Sequence, residues 1–358
     1  MRLLFVVDQL ENGGLERQLS YLISELSKLE SIQVSCFVWN HYETAYYYEF
    51  FKEHLADNLW GESPDTSFKT KLLSLRRLIK KEKPKHVISF SNFTNFQVFL
   101  ASSLTKSKPI GAIRSSAEYM LAEMGPKKAL SLLFPQCFIV NSNKAIQGLK
   151  RTWWLKHKTY HYFPNYIDRR LFQRSSATIE FDSISVGSLL PEKRMDRLVE
   201  LIETTRKIRP TIRHIHIGGG ALLPEFRETV KTKDLGKQLI FHGPDRDIPR
   251  YLSKANIFLH FSDYEGTPNA VLEAMAVGLP IISTDCGDVD QYVKPGVSGY
   301  IIGRTSAYQA DAFHDKYHIM LEDVEQQRKM GEVAFKHMRR FDSTQIAQDF
   351  IHLLEKSN

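Results

Sequence analysis

The chain has 358 residues and a formal net charge of +7, with 42% hydrophobic and 25% charged residues. That length exceeds one ordinary domain and suits two, and the composition is globular rather than fibrous or disordered. No apolar run approaches the roughly 20 residues that span a bilayer, and no recognition motif accompanies the positive charge, so neither a membrane-spanning protein nor a nucleic-acid binder is expected.

The opening Met1-Arg-Leu-Leu-Phe-Val-Val reaches Asp8 too early for a signal peptide and reads as a buried strand. From there apolar strands alternate with helical patterns, which predicts an α/β protein with a parallel sheet in each half. Strands are expected near 2–8, 32–38, 86–90, 109–113 and 137–140, then near 182–187, 212–217, 238–242, 256–260 and 279–283. The seam falls at Phe163-Pro-Asn-Tyr-Ile-Asp168, with a polar stretch to Thr178 beyond it. Two domains, 1–165 and 166–342, follow from it, and the closing segment 343–358 is helical in pattern. Cys36, Cys137 and Cys286 are scattered, odd in number and without metal-ligand spacing, which fits a reducing cytoplasm.

Gly13 and Gly14 open the first helix after the first strand and let the backbone approach a ligand, although no G-x-G-x-x-G fingerprint is present. Residues 1–165 hold 22 Lys and Arg against 14 Asp and Glu, while the rest is near neutral. Much of the excess lies in 69–85, where leucines recur at helical spacing between basic residues. That segment reads either as a solvated helix face or as a surface for peripheral contact with an anionic membrane. Arg114 and Asn141 each end a strand of the first half, where strand-end capping is one reading.

In the second half, Ser185-Val-Gly-Ser-Leu-Leu-Pro-Glu-Lys193 is a strand followed by a loop with one compact cation, Lys193. His216-Ile-Gly-Gly-Gly220 and Phe241-His-Gly-Pro-Asp245 end two further strands. Ligands of open α/β sheets gather at such carboxyl ends. His242 reads as a hydrogen-bonded polar residue of its turn. Then comes Glu265-Gly-Thr-Pro-Asn-Ala-Val-Leu-Glu273, continued by Ala-Met-Ala-Val-Gly-Leu-Pro280: strand, glycine turn, helix, strand. Thr267 is expected to cap that helix and Pro268 to take its first position, leaving first-turn N–H groups for a phosphate or a sugar hydroxyl. Glu265 and Glu273 would flank one polar pocket. Asp288-Val-Asp290 matches a metal-binding D-x-D pattern, but short acid-x-acid matches are common and no metal is expected there.

The segment Glu-Gly-x-Pro-Asn-x-x-x-Glu-Ala-Met-Ala-x-Gly-x-Pro resembles the signature of the family 4 retaining glycosyltransferases, which have the GT-B fold. This resemblance implies two Rossmann-like domains whose parallel sheets face each other across a cleft, with the last helix returning to the first domain. It implies donor binding by Gly13, Gly14, Ser188, Gly218, Gly219, His242, Pro244, Gly266, Thr267, Pro268, Asn269 and Glu273. Lys193 and Glu265 carry the catalysis, and Arg114 and Asn141 lie on the acceptor side. Ser185–Lys193 is similar to the family's Gly-Arg-Leu-x-x-x-Lys loop, with Ser188 in place of the arginine. Also implied are a UDP- or GDP-sugar donor, no metal cofactor, a glycan or lipid-linked acceptor, and a role in surface polysaccharide or glycoconjugate synthesis. A cytoplasmic protein, peripheral on the inner face of the membrane, would suit that role. The alternatives are a nucleotide-sugar binder without turnover and a GT-B-like nucleotide-sugar epimerase.

Overall fold

In the computed structural model, which describes residues 1–122, 125–173, 177–303 and 309–356, the chain divides into two compact units. One comprises Met1–Tyr166 with Ser343–Asn358, and the other Ile167–Asp342. Residues 174–176 of the expected interdomain stretch and 357–358 of the closing segment lie outside the described residues.

The first unit holds seven parallel strands: β1 (Arg2–Val7), β2 (Gln33–Val38), β3 (Leu59–Gly61), β4 (His86–Ser89), β5 (Lys108–Ile113), β6 (Cys137–Val140) and β7 (Thr159–Tyr162). Their order is β3-β2-β1-β4-β5-β6-β7. The second unit holds β8 (Phe181–Val186), β9 (His214–Ile217), β10 (Leu239–Gly243), β11 (Ala255–His260), β12 (Ile281–Thr284) and β13 (Gly299–Ile302). They run β10-β9-β8-β11-β12-β13, again all parallel.

Three strands lie outside the expected set: β3, β7 and β13. Each lies at an edge of its sheet, and each is short and only partly buried. An edge strand needs no continuous apolar run, so these three are hard to tell from loops; the fourth edge strand, β10, has such a run in Leu239-Ile-Phe241 and lies where a strand was expected. The central strands are the opposite case. In β1, Leu3 to Val7 are fully buried because both faces are covered. Leu3, Phe5 and Val7 face the cluster containing the helices Gly14–Leu26 and Ile346–Lys356, while Leu4 and Val6 face the helix Phe68–Glu82.

The helix Phe68–Glu82 turns Leu75, Leu78 and Ile79 inward. Two of its basic residues are used internally: Lys71 is buried with its ammonium on Asn40 Oδ1 at 2.5 Å, and Arg76 donates to the Ala101 and Ser103 carbonyls at 3.2 and 2.7 Å. Lys69, Arg77, Lys80, Lys81, Lys83 and Lys85 remain exposed.

In the last helix, Ile346, Ala347, Phe350, Leu353 and Leu354 form one buried stripe. Phe350 has no exposure and its ring centroid lies 5.7 Å from that of Phe5 and 5.1 Å from that of Phe163. The C-terminal segment is therefore part of the first unit's core. Phe350→Ala is expected to lower the unit's unfolding free energy by about 3–5 kcal/mol, read from urea denaturation; a loss below about 1 kcal/mol would show that the helix is only appended.

Candidate active site

Lys193 and Glu265 are brought together by a set of backbone and acidic clamps. After β8 the chain passes Gly187 and Ser188 and makes a single 3-10 turn, Pro191–Lys193. It then bends through Arg194, at φ +51°, into the helix Met195–Thr205. Asp263, just beyond β11, holds that bend: its carboxylate accepts from Arg197 at 2.7 Å and from Arg194 at 3.0 Å, and its N–H donates to the Glu192 carbonyl at 2.8 Å. Arg194 also pairs with Asp196 at 2.7 Å. It is engaged away from Lys193 and does not stand in for the arginine absent at the exposed Ser188.

The Lys193 ammonium then meets Glu265 Oε1 in a hydrogen-bonded ion pair. The same oxygen accepts from Ser262 Oγ at 2.9 Å and contacts His260 Nε2 at 3.3 Å. On its other side the His260 ring meets Ser283 Oγ at 3.0 Å. Three partners thus converge on Oε1, and no partner from the described residues occupies Oε2. Burial pushes the Glu265 carboxyl upward, but the Lys193 charge and His260 outweigh it and leave the group far below the usual carboxylate range. Burial likewise works against the Lys193 charge, and Glu265 more than restores it. His260, Ser262 and Asp263 were not singled out in the sequence. The Ser262-x-x-Glu265 spacing is the one local signal that marks a hydroxyl next to this carboxylate.

Glycines position the surrounding loops. Gly287 adopts φ +49°, and a Cβ there would lie 2.1 Å from the Gly266 carbonyl oxygen, whose acceptor role is taken by the Asp288 N–H at 3.0 Å. At Gly218 a Cβ would lie 1.7 Å from the Gly187 oxygen, so this glycine serves contact between two loops of the protein. Gly219 faces Pro244, with 3.3 Å from its notional Cβ to the proline ring. His242 is exposed and bonded to the Tyr251 hydroxyl at 2.9 Å.

The helix after Glu265 runs Asn269–Ala276, one residue later than expected. Pro268 is its cap residue, with no side-chain capping bond, and Thr267 precedes the helix, 5% exposed. The proline carbonyl accepts from Val271 and Leu272 at 3.1 and 3.3 Å, which closes the first turn on the backbone. Glu273 is on that helix, 2% exposed. Asp288 is buried and Asp290 exposed, because a short helix, Val289–Tyr292, carries the intervening residues round; the two carboxylates do not form one pocket. Among the described residues no group of three or more His, Cys, Asp or Glu side chains is arranged to hold a metal ion.

In the first unit, Gly13 precedes the helix Gly14–Leu26 and Glu16 Oε2 folds back over it, 2.1 Å from where a Cβ would stand. Burial raises the Glu16 carboxyl to about 7. Arg114 and Asn141 both approach Asn165 Oδ1, at 3.4 and 3.5 Å.

Residues 168–337 match the family model described as glycosyl transferases group 1. The matched residues fall within the second unit. Over 102 residues the chain is 35% identical to the Vi polysaccharide biosynthesis protein VipC/TviE of Salmonella typhi, covering 28% of this chain and 18% of that protein. Over 242 residues it is 24% identical to the N-acetylgalactosamine-N,N'-diacetylbacillosaminyl-diphospho-undecaprenol 4-alpha-N-acetylgalactosaminyltransferase of Campylobacter jejuni, covering 64% and 63%. The chain thus spans less than two thirds of either curated relative. Anabaena HepE, crystallised with UDP and glucose, superposes with a TM-score of 0.83 at 15% identity, covering 99% of both chains. The fold is that of GT-B glycosyltransferases.

Glu265→Gln is expected to lower stability by about 2 kcal/mol at pH 7, below the 3–5 kcal/mol of a fully buried pair because the side chains keep 20% and 17% exposure. A lowered carboxyl contributes above its ordinary value of 4.5 and loses that contribution as pH falls toward the folded value. A raised lysine loses its share only above 10.5. The wild-type advantage should therefore hold between these limits and shrink below pH 4.5. Thermal unfolding across pH tests this, and a difference that grew with acid would refute the pair.

Proposed function

We propose that the protein is a retaining glycosyltransferase that moves a sugar from a nucleoside-diphosphate sugar to a glycan or lipid-linked acceptor in polysaccharide or glycoconjugate synthesis. The observation that carries the reading is the Lys193–Glu265 pair at the carboxyl ends of β8 and β11, with one carboxylate oxygen tied and the other open. In transfer the bond from the anomeric carbon to the diphosphate breaks, an acceptor hydroxyl oxygen bonds that carbon, and the hydroxyl proton is released. Lys193 stabilises the charge gathering on the departing diphosphate. Glu265 Oε2 faces the donor sugar, Glu273 accepts from the ribose hydroxyls, and the backbone of Gly266 to Asn269 borders the phosphates.

The family match supports a sugar-transfer role. UDP in the HepE crystals favours a uridine donor, and the diphospho-undecaprenol substrate in the Campylobacter relative's name favours a lipid-linked acceptor. Peripheral contact with an anionic membrane would use the exposed Lys69, Arg77, Lys80, Lys81, Lys83 and Lys85. No described helix is long and apolar enough to cross a membrane. Ser188, where the family places a second cation, favours one other reading, a protein that binds nucleotide sugar without turnover.

Lys193→Ala and Glu265→Ala are expected to cut sugar transfer by about 10²–10³-fold, the usual effect of removing a group that stabilises transition-state charge, with circular dichroism unchanged. The assay is product formation from UDP- and GDP-sugars with undecaprenyl-diphosphate-linked acceptors in EDTA. Donor binding without product in the wild type would establish the non-catalytic reading, and wild-type rates in both variants would remove these two residues from the mechanism.

A further inference from the structure

Arg114 stands at the carboxyl end of β5, surrounded by residues that end the neighbouring strands: Phe90 after β4, Asn141 after β6, and Phe163 and Asn165 after β7. Its guanidinium lies 4.2 Å from the Phe90 ring centroid and 6.0 Å from that of Phe163. Nη1 makes one long contact, 3.4 Å, to a neutral amide oxygen of Asn165. Nε and Nη2 are covered and have no hydrogen-bond partner among the described residues. Among the described residues no carboxylate pairs with the group, and burial brings its pKa down to about 9.

Such an arrangement is expensive. A desolvated cation normally finds an anion or several good acceptors, because leaving it uncompensated costs several kcal/mol. Stacking on phenylalanine recovers only part of that cost. The pattern of what is missing is also specific. Nε and Nη2 form one edge of the guanidinium, the edge whose two parallel N–H groups match two oxygens of a carboxylate or phosphate. The surrounding amides of Asn92, Asn141 and Asn165 are neutral, so none competes with an incoming anion.

We propose that Arg114 is the centre of an oxyanion site in the first unit, gripping a carboxylate or phosphate of the acceptor through Nε and Nη2. This rests on the glycosyltransferase reading for the word acceptor, and on the first unit alone for the site. The residue as a whole is partly exposed while Nε and Nη2 are covered, so binding through that edge requires the covering groups to move. The acceptor class is narrowed to molecules with an acidic group, either a phosphate such as a lipid-linked diphosphate or the carboxylate of an acidic sugar.

The test uses the full chain and isothermal titration with sodium phosphate and sodium glucuronate, against sodium chloride at matched ionic strength. Wild type, Arg114→Met and Arg114→Lys are compared, with UDP and GDP titrated in parallel. At least one oxyanion should bind the wild type and weaken by about tenfold or more in Arg114→Met, a loss of roughly 1.4 kcal/mol. Arg114→Lys keeps the charge but not the paired edge, so it should weaken too. Binding of phosphate alone names a phosphorylated acceptor, and of glucuronate alone a carboxylated one. UDP or GDP affinity should be the same in all three proteins, which separates this site from the donor site; loss of nucleotide binding everywhere, with oxyanion binding intact, would instead fault the glycosyltransferase reading. With no ligand, Arg114→Met should melt no lower than wild type, since it removes an uncompensated charge. Equal oxyanion binding in wild type and Arg114→Met, no binding to wild type, or a lower melting temperature with unchanged isotherms would each overturn the proposal, the last making Arg114 a packing residue.

Discussion

The second unit is organised around one ion pair. Lys193 and Glu265 lie far apart in sequence, and each would be costly where it stands if the other were absent. The surrounding structure serves their meeting. Asp263 ties the turn that carries Lys193 to the end of β11. Gly287 lets the loop after β12 close on the backbone of Glu265 and Gly266. Ser262 and His260 fix which carboxylate oxygen receives the ammonium. A charge held in this way is already desolvated and oriented before any ligand arrives, which is the condition under which electrostatic catalysis is strong.

The two units handle buried cations in opposite ways. Lys193 has a carboxylate within hydrogen-bond reach, and Arg114 has only aromatic faces and one distant amide. A compensated cation is stable in the free protein and must exchange partners when a diphosphate enters. An uncompensated one spends folding free energy continuously and recovers it on binding. Both stand at carboxyl ends of parallel strands, where side chains from several strands converge.

Much of this was readable in the sequence, for identifiable reasons. A central strand such as β1 is buried on both faces and shows up as an unbroken apolar run, Leu3 to Val7. The edge strands β3, β7 and β13 carry no such constraint and did not show up. Lys193 and Glu265 were legible because each follows a strand in a recognisable loop. Their pairing was not, since the tie runs through Asp263 and Ser262, residues with no motif value of their own. The helix start after Glu265 lies one residue later than expected, because a Thr-Pro pair fits two capping schemes and Pro268 is the cap residue. Arg114 was visible as a strand-end residue, but its lack of a counter-charge is a three-dimensional fact.

The claim that Lys193 is a diphosphate anchor restrained by Glu265 is tested most directly by titrating UDP and GDP, in EDTA, into wild type, Lys193→Ala and Glu265→Gln. Removing the restraining charge should leave nucleoside-diphosphate affinity equal or higher in Glu265→Gln, while Lys193→Ala loses it by about tenfold or more. If Glu265→Gln weakens binding as much as Lys193→Ala, the pair is a structural unit with no separable cation, and the account is contradicted.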